Sequence, residues 1–212
     1  MYRSACEKER ENGGAFAPVA PLSVPAPRDV VAMQEVALLF TRYSDIFGRI
    51  VGLLTGGGFS HVSVSPDLGS DVFYSFNIKG FAVERPLAHS PRRRLKGSFL
   101  LRLEVDGESH ERLMRALDRY LDERESYSYS RLGFVACLAG IRYRRPRARF
   151  CSQFVAEVLK EAGIAKETVT PELCLPAQLA DRRCFRFAIC ESSRDWIEAS
   201  SEARRNGCPL GN

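Results

Sequence analysis

Strand-like segments fill the first half of this chain and helix-like segments the second, an order that favours segregated α+β architecture over a repeated βαβ pattern. Residues 35–42 carry the apolar run Val36-Ala37-Leu38-Leu39-Phe40 and read as a buried strand. A short amphipathic helix through Ile46, Ile50, Val51 and Leu54 follows, closed by Gly56-Gly57-Gly58. Two strands are expected over residues 60–65 and 71–77, joined by Pro66-Asp67-Leu68-Gly69, which has hairpin-loop chemistry. A third, over 98–105, is almost continuously apolar. Residues 106–125 form the clearest helix, with Leu113, Leu117, Tyr120 and Leu121 in one stripe. A second helix is expected near 130–140, a third from Cys151 to a left-handed cap at Gly163, and a last strand over 184–190.

The chain has 212 residues and 45% apolar content, enough for one core. Residues 1–33, rich in Pro, Ala and Gly, read as a flexible leader, 34–196 as the folded domain and 197–212 as a flexible tail. The formal charge of +5 comes mostly from arginine clusters. Seven cysteines without close pairs, and three histidines scattered at 61, 89 and 110, argue against zinc, and no metal or organic cofactor is expected. The charged start does not resemble a secretion signal, and no run of about 18 apolar residues suggests a membrane span. These features favour free thiols in a reducing cytoplasm.

His61 and Cys151 carry the candidate chemistry. Cys151 opens its helical run, where peptide dipoles and unpaired amides favour a thiolate. The residues before it, Arg149-Phe150, supply no Ser, Thr, Asp or Asn cap, so the amides of Ser152 and Gln153 stay available to an oxyanion. His61 is the polar step of the alternating strand Ser60-His61-Val62-Ser63-Val64-Ser65, which sets His61, Ser63 and Ser65 on a polar face. Its ordinary pKa near 6.5 suits proton exchange at neutral pH. An orienting partner is expected from the next strand, at Ser75, Tyr74 or Asn77, with Glu84, beyond Gly80, the weaker candidate. Arg144, Arg145 and Arg147, in an arginine-rich connector just before Cys151, are candidates for holding an anionic ligand. Gly56-Gly57-Gly58 lacks the Lys-Ser/Thr of a phosphate loop.

Three blocks together resemble the circularly permuted NlpC-type papain-like proteins, in particular the YiiX-like relatives of lecithin retinol acyltransferase. They are Thr55-Gly56-Gly57-Gly58-Phe59-Ser60-His61-Val62, Tyr74-Ser75-Phe76 with Gly80-Phe81, and Phe150-Cys151-Ser152-Gln153-Phe154-Val155 with Ala162-Gly163-Ile164. The likeness spans about residues 35–190, with the Ser-His-Val and Cys-Ser-x-Phe-Val blocks the most specific. It implies an antiparallel sheet packed against helices that include the cysteine helix. It further implies a thiol peptidase, amidase or acyltransferase with Cys151 as nucleophile and His61 as base. Members often carry a second His or a Glu on the strand after the histidine, where this chain has Tyr74-Ser75. A hydroxyl orients an imidazole less firmly than a carboxylate does.

The leading expectation is therefore a cytoplasmic cysteine hydrolase or acyltransferase acting on a peptide, amide or lipid-like acyl substrate, with nucleic acid disfavoured as a partner. Two rivals stand beside it. One is a non-catalytic binding module on the same scaffold, whose arginines hold an acidic peptide, lipid head group or nucleic acid. The other is a lipid-handling acyltransferase that touches membranes transiently.

Overall fold

The structure, a computed structural model, describes residues 33–43, 58–88 and 95–205. It is a mixed α+β fold built on a six-stranded sheet in which every neighbouring pair is antiparallel. Its strands are β1 (Gln34–Tyr43), β2 (His61–Ser65), β3 (Phe73–Asn77), β4 (Gly80–Glu84), β5 (Leu95–Val105) and β8 (Ile189–Arg194). They lie in the order β4-β3-β2-β1-β5-β8. Two further strands, β6 (Ser128–Tyr129) and β7 (Ala148–Arg149), pair in parallel beside it. The α-helices among the described residues are α1 (Gly107–Asp122), α2 (Arg131–Leu138), α3 (Cys151–Glu161), the short α4 (Pro176–Leu179) and α5 (Trp196–Arg205).

The apolar run of β1 follows from burial on both sides. Val36, Leu38 and Phe40 share one face with Val62, Val64, Leu101 and Leu103, and pack against Leu113 and Leu117 of α1 and Phe154, Val155 and Val158 of α3. Ala37, Leu39, Phe73 and Leu100 occupy the other face and meet Trp196 and Ile197 of α5. Ser63 and Ser65, expected on an open polar face with His61, are buried as well, because that side of the sheet has a second apolar layer. Each fully buried Phe, Leu or Val here contributes about 1.5–3 kcal/mol.

Local chemistry sets the helix ends. Asp106 caps α1 by accepting from the Ser109 amide (2.7 Å), and Leu113, Leu117 and Tyr120 form its buried stripe. Helix α3 starts at Cys151 with Phe150 as N-cap and no side-chain cap hydrogen bond. It stops at Gly163, whose φ of +77° is the left-handed conformation that glycine adopts without penalty.

Three expectations change. Strand β4 was not anticipated. The last strand begins at Ile189 rather than 184, the latter position lying in a 3₁₀ turn (Arg182–Cys184). The tail expected over 197–212 is helical through Arg205, since Trp196 and Ile197 give α5 an apolar side that closes the second face of the sheet. The helix expected through Ile46 to Leu54 and nearly all of the leader lie outside the described residues, as do His89 and Arg92-Arg93-Arg94.

Candidate active site

The sheet and α3 bring His61 and Cys151 together. Helix α3 packs over β2 and β3, and the Cys151 side chain lies beside the His61 ring, close enough to raise its pKa. The thiol is 5% exposed. On its other side the ring meets a carboxylate. Nε2 of His61 lies 3.0 and 3.1 Å from the two side-chain oxygens of Glu84, the last residue of β4. A thiol, an imidazole and a carboxylate thus stand in series, the order in which a base is held between the proton it takes and the group that orients it.

Glu84 reaches this position through two local devices. Asn77-Ile78-Lys79-Gly80 turns β3 tightly into β4, with the Asn77 side-chain oxygen accepting from the Lys79 amide (2.8 Å). Gly80 has φ +113°, and a Cβ on it would lie 2.3 Å from the Tyr127 carbonyl oxygen, so the turn accepts no other residue without a shift. Beyond Glu84 the chain is pinned by the buried Asp71, whose carboxylate accepts from the amides of Leu87 (3.2 Å) and Ala88 (3.1 Å).

The electrostatics of the ring follow from its neighbours. Burial opposes charging it, but the Glu84 carboxylate, the adjacent Cys151 and the hydrogen bonds to Glu84 outweigh burial and hold His61 well above the usual histidine range. Tyr129 flanks the thiol from β6, beside the strand that leads into Cys151. Burial first, and then Cys151, raise its phenol so that it stays protonated. Four further thiols are raised. Burial, with a smaller contribution from Cys151, pushes Cys137 up to about 11, and burial also raises Cys174, Cys184 and Cys190.

The side chains expected to orient His61 are engaged elsewhere. Ser75 is fully buried and donates to the Val62 carbonyl (2.7 Å), tying β3 to β2. Tyr74 stacks on Phe81 at 6.2 Å. Asn77 serves the turn. Ser152 and Gln153 sit in the uncapped first turn of α3, as expected, and both side chains are buried. The Ser152 hydroxyl and both ends of the Gln153 amide have no hydrogen-bond partner among the described residues.

The arginine connector is largely neutralised from within. Arg149 is buried, with Nη2 3.1 Å from Glu157 and Nη1 on the carbonyls of Arg145 and Ala148 (2.9 Å each). Arg144 meets the same Glu157 (2.9 Å) and Arg147 meets Glu123 (3.5 Å), which leaves Arg145 as the one of the three expected ligand-binding arginines with no ion pair among the described residues. No cluster of three or more His, Cys, Asp or Glu side chains among the described residues is placed to hold a metal, and none of their helices is long and apolar enough to cross a membrane.

Glu84 and Tyr129 carry the parts of the site that sequence reasoning missed or underweighted. The turn chemistry of Asn77 and Gly80, followed by the alternation Phe81-Ala82-Val83-Glu84, was the available signal for the first. Tyr129 had none, because its place depends on the two-residue parallel pairing of β6 with β7. Compared with models of known protein families, with curated proteins and with solved structures, the chain matches none.

Proposed function

We propose that this protein is a cysteine-dependent hydrolase or acyltransferase, with a permuted papain-like arrangement, acting on an amide, ester or thioester. The observation that carries the reading is one imidazole that stands beside a helix-N-terminal thiol and is hydrogen-bonded to a carboxylate. With Nε2 on Glu84, Nδ1 is the ring nitrogen left for the thiol proton, and Glu84 stabilises the imidazolium that results. The Cys151 thiolate then attacks the carbonyl carbon, forming a C–S bond as the carbonyl π pair moves to oxygen. The uncapped first-turn amides of α3 are the donors that would receive that oxyanion. Collapse expels the leaving group, which takes the proton from His61. Water or a second nucleophile, deprotonated by the same ring, releases the acyl group from sulfur.

Five free thiols among the described residues suit a reducing compartment such as the cytoplasm. Iodoacetamide labelling below about pH 7.5, mapped by mass spectrometry, tests the reading, because activated cysteines ionise in that range. Label concentrated on Cys151, and lost from it in His61→Ala, is the expected result. Equal labelling of Cys151 and the exposed Cys190 sinks the proposal.

A further inference from the structure

A second feature lies on the same β1–β2 segment as the catalytic histidine. A cleft of about 440 Å³ opens at one end of β1, β5 and β8, lined by Arg42, Phe59, Phe99, Arg194 and Asp195 over the β5 backbone. The register builds it. Phe40 pairs with Phe99 and Phe99 with Arg194, forming one cross-strand row, and Arg42 faces Gly97 in the next. Phe59 stacks on Phe99 (5.7 Å, 12° between planes) and meets Phe40 at 5.5 Å, giving an aromatic floor. No side chain stands opposite Arg42, since its partner is glycine.

The charges in this cleft are uncommitted. Arg42 and Arg194 are exposed and, like Arg145 on the connector, have no ion pair among the described residues, whereas ten other arginines, including Arg102, Arg119 and Arg149, are paired with carboxylates. Asp195 lines the same cleft without forming an ion pair with either. Two guanidinium forks match a carboxylate, a stacked phenylalanine pair matches an apolar or aromatic body, and a carboxylate acceptor matches an N–H on the same ligand. Thr41, between Phe40 and Arg42, pairs directly with His61. With strands spaced about 4.8 Å apart, β5 lies only about 10 Å from β2.

We propose that this cleft holds the carboxyl-terminal apolar or aromatic residue of a peptide-like substrate, whose reacting carbonyl extends toward Cys151. The inference deepens the hydrolase reading and rests on it for the second half of that statement. Binding of N-acetyl-phenylalanine and of its uncharged amide, N-acetyl-phenylalaninamide, is measured by calorimetry on the full chain carrying Cys151→Ala, so that thiol chemistry is silent. The free carboxylate is expected to bind at least about 10-fold more tightly, with the margin shrinking as salt rises. The double variant Arg42→Gln/Arg194→Gln, with a circular dichroism spectrum matching its parent, is expected to erase that margin. Arg194→Gln alone serves if the double variant does not fold, and is expected to lose most of it. Equal binding of the two compounds, binding of neither, or a margin that survives these variants overturns the cleft assignment. Failure of Cys151 to label with iodoacetamide, with the carboxylate preference intact, sinks the hydrolase reading and leaves the cleft standing.

Discussion

Glu84 and Glu157 are both mostly buried carboxylates facing a nitrogen base, yet they are built for different work. Glu157 is shared by Arg149 and Arg144, and the remaining Arg149 donors are taken up by backbone carbonyls. A guanidinium does not release its proton in any accessible pH range, so this cluster keeps one charge state and holds the connector onto α3. Glu84 faces an imidazole, whose other contact is a thiol that can supply the proton. The same kind of pair is a fixed brace in one place and a titratable pair in the other, and the difference lies in whether the cation can titrate.

The largest expected effect falls on the titratable side. Cys151→Ala should reduce turnover of any accepted ester or thioester by about 10⁴-fold or more, because members of such a unit contribute jointly. His61→Ala should do nearly as much. Turnover within threefold of wild type in either variant ends the comparison, since no proton would then pass through this pair.

On the fixed side the expected loss is in stability. Glu157→Gln leaves Arg149 buried without its counter-charge and should cost about 3–5 kcal/mol in denaturant unfolding. The folded variant should still alkylate at Cys151 at close to the wild-type rate. A large drop in that rate would mean that the brace also tunes the thiol.

Glu84→Gln sits between these extremes, with an expected 10- to 100-fold loss in rate. Its sharper signature is in pH. The folded-state pKa of His61 is raised above the unfolded value, so the stabilisation it brings is fully present below about pH 6.5 and is lost as pH rises through the elevated value. The stability gap between wild type and Glu84→Gln should therefore be widest near about pH 6 and narrow as pH rises. The thiolate–imidazolium form should likewise vanish at lower pH in the variant, moving the alkaline limb of the labelling profile downward. A gap that widens with pH would reverse the assignment of charge.

The strong signals in the sequence were those with local causes. The stripe of α1, the left-handed Gly163 and the uncapped start of α3 each depend on residues within one or two turns, and all could be read from the chain alone. His61 and Cys151 were legible for the same reason, one as a polar step in an apolar strand and the other as a thiol at a helix start. Strand β4 was harder to see, because it is five residues long, sits at the sheet edge and leaves Val83 exposed, so its alternation is weak. Losing the strand meant underrating Glu84. The pairing of the arginine connector was not legible either, since charge in a sequence does not reveal that Glu157, 8 and 13 residues onward, meets Arg149 and Arg144, or that Glu123, 24 residues back, meets Arg147.

Ser75 provides the smallest and most discriminating test. It lies on the strand between the one that carries His61 and the one that carries Glu84, the position from which an orienting hydroxyl was expected. Its hydrogen goes to the Val62 carbonyl instead, one residue past His61, so its contribution is to the spacing of β2 against β3. Ser75→Ala removes that single neutral hydrogen bond and leaves a backbone acceptor with one lone pair unused, which should cost about 1 kcal/mol of stability. The labelling rate at Cys151 and its pH profile should stay at wild-type values, because Glu84 still holds Nε2. If Ser75→Ala instead shifts the pH profile as Glu84→Gln does, the ring is oriented from β3 after all, and the contrast between a titrating pair and a fixed one loses its titrating member.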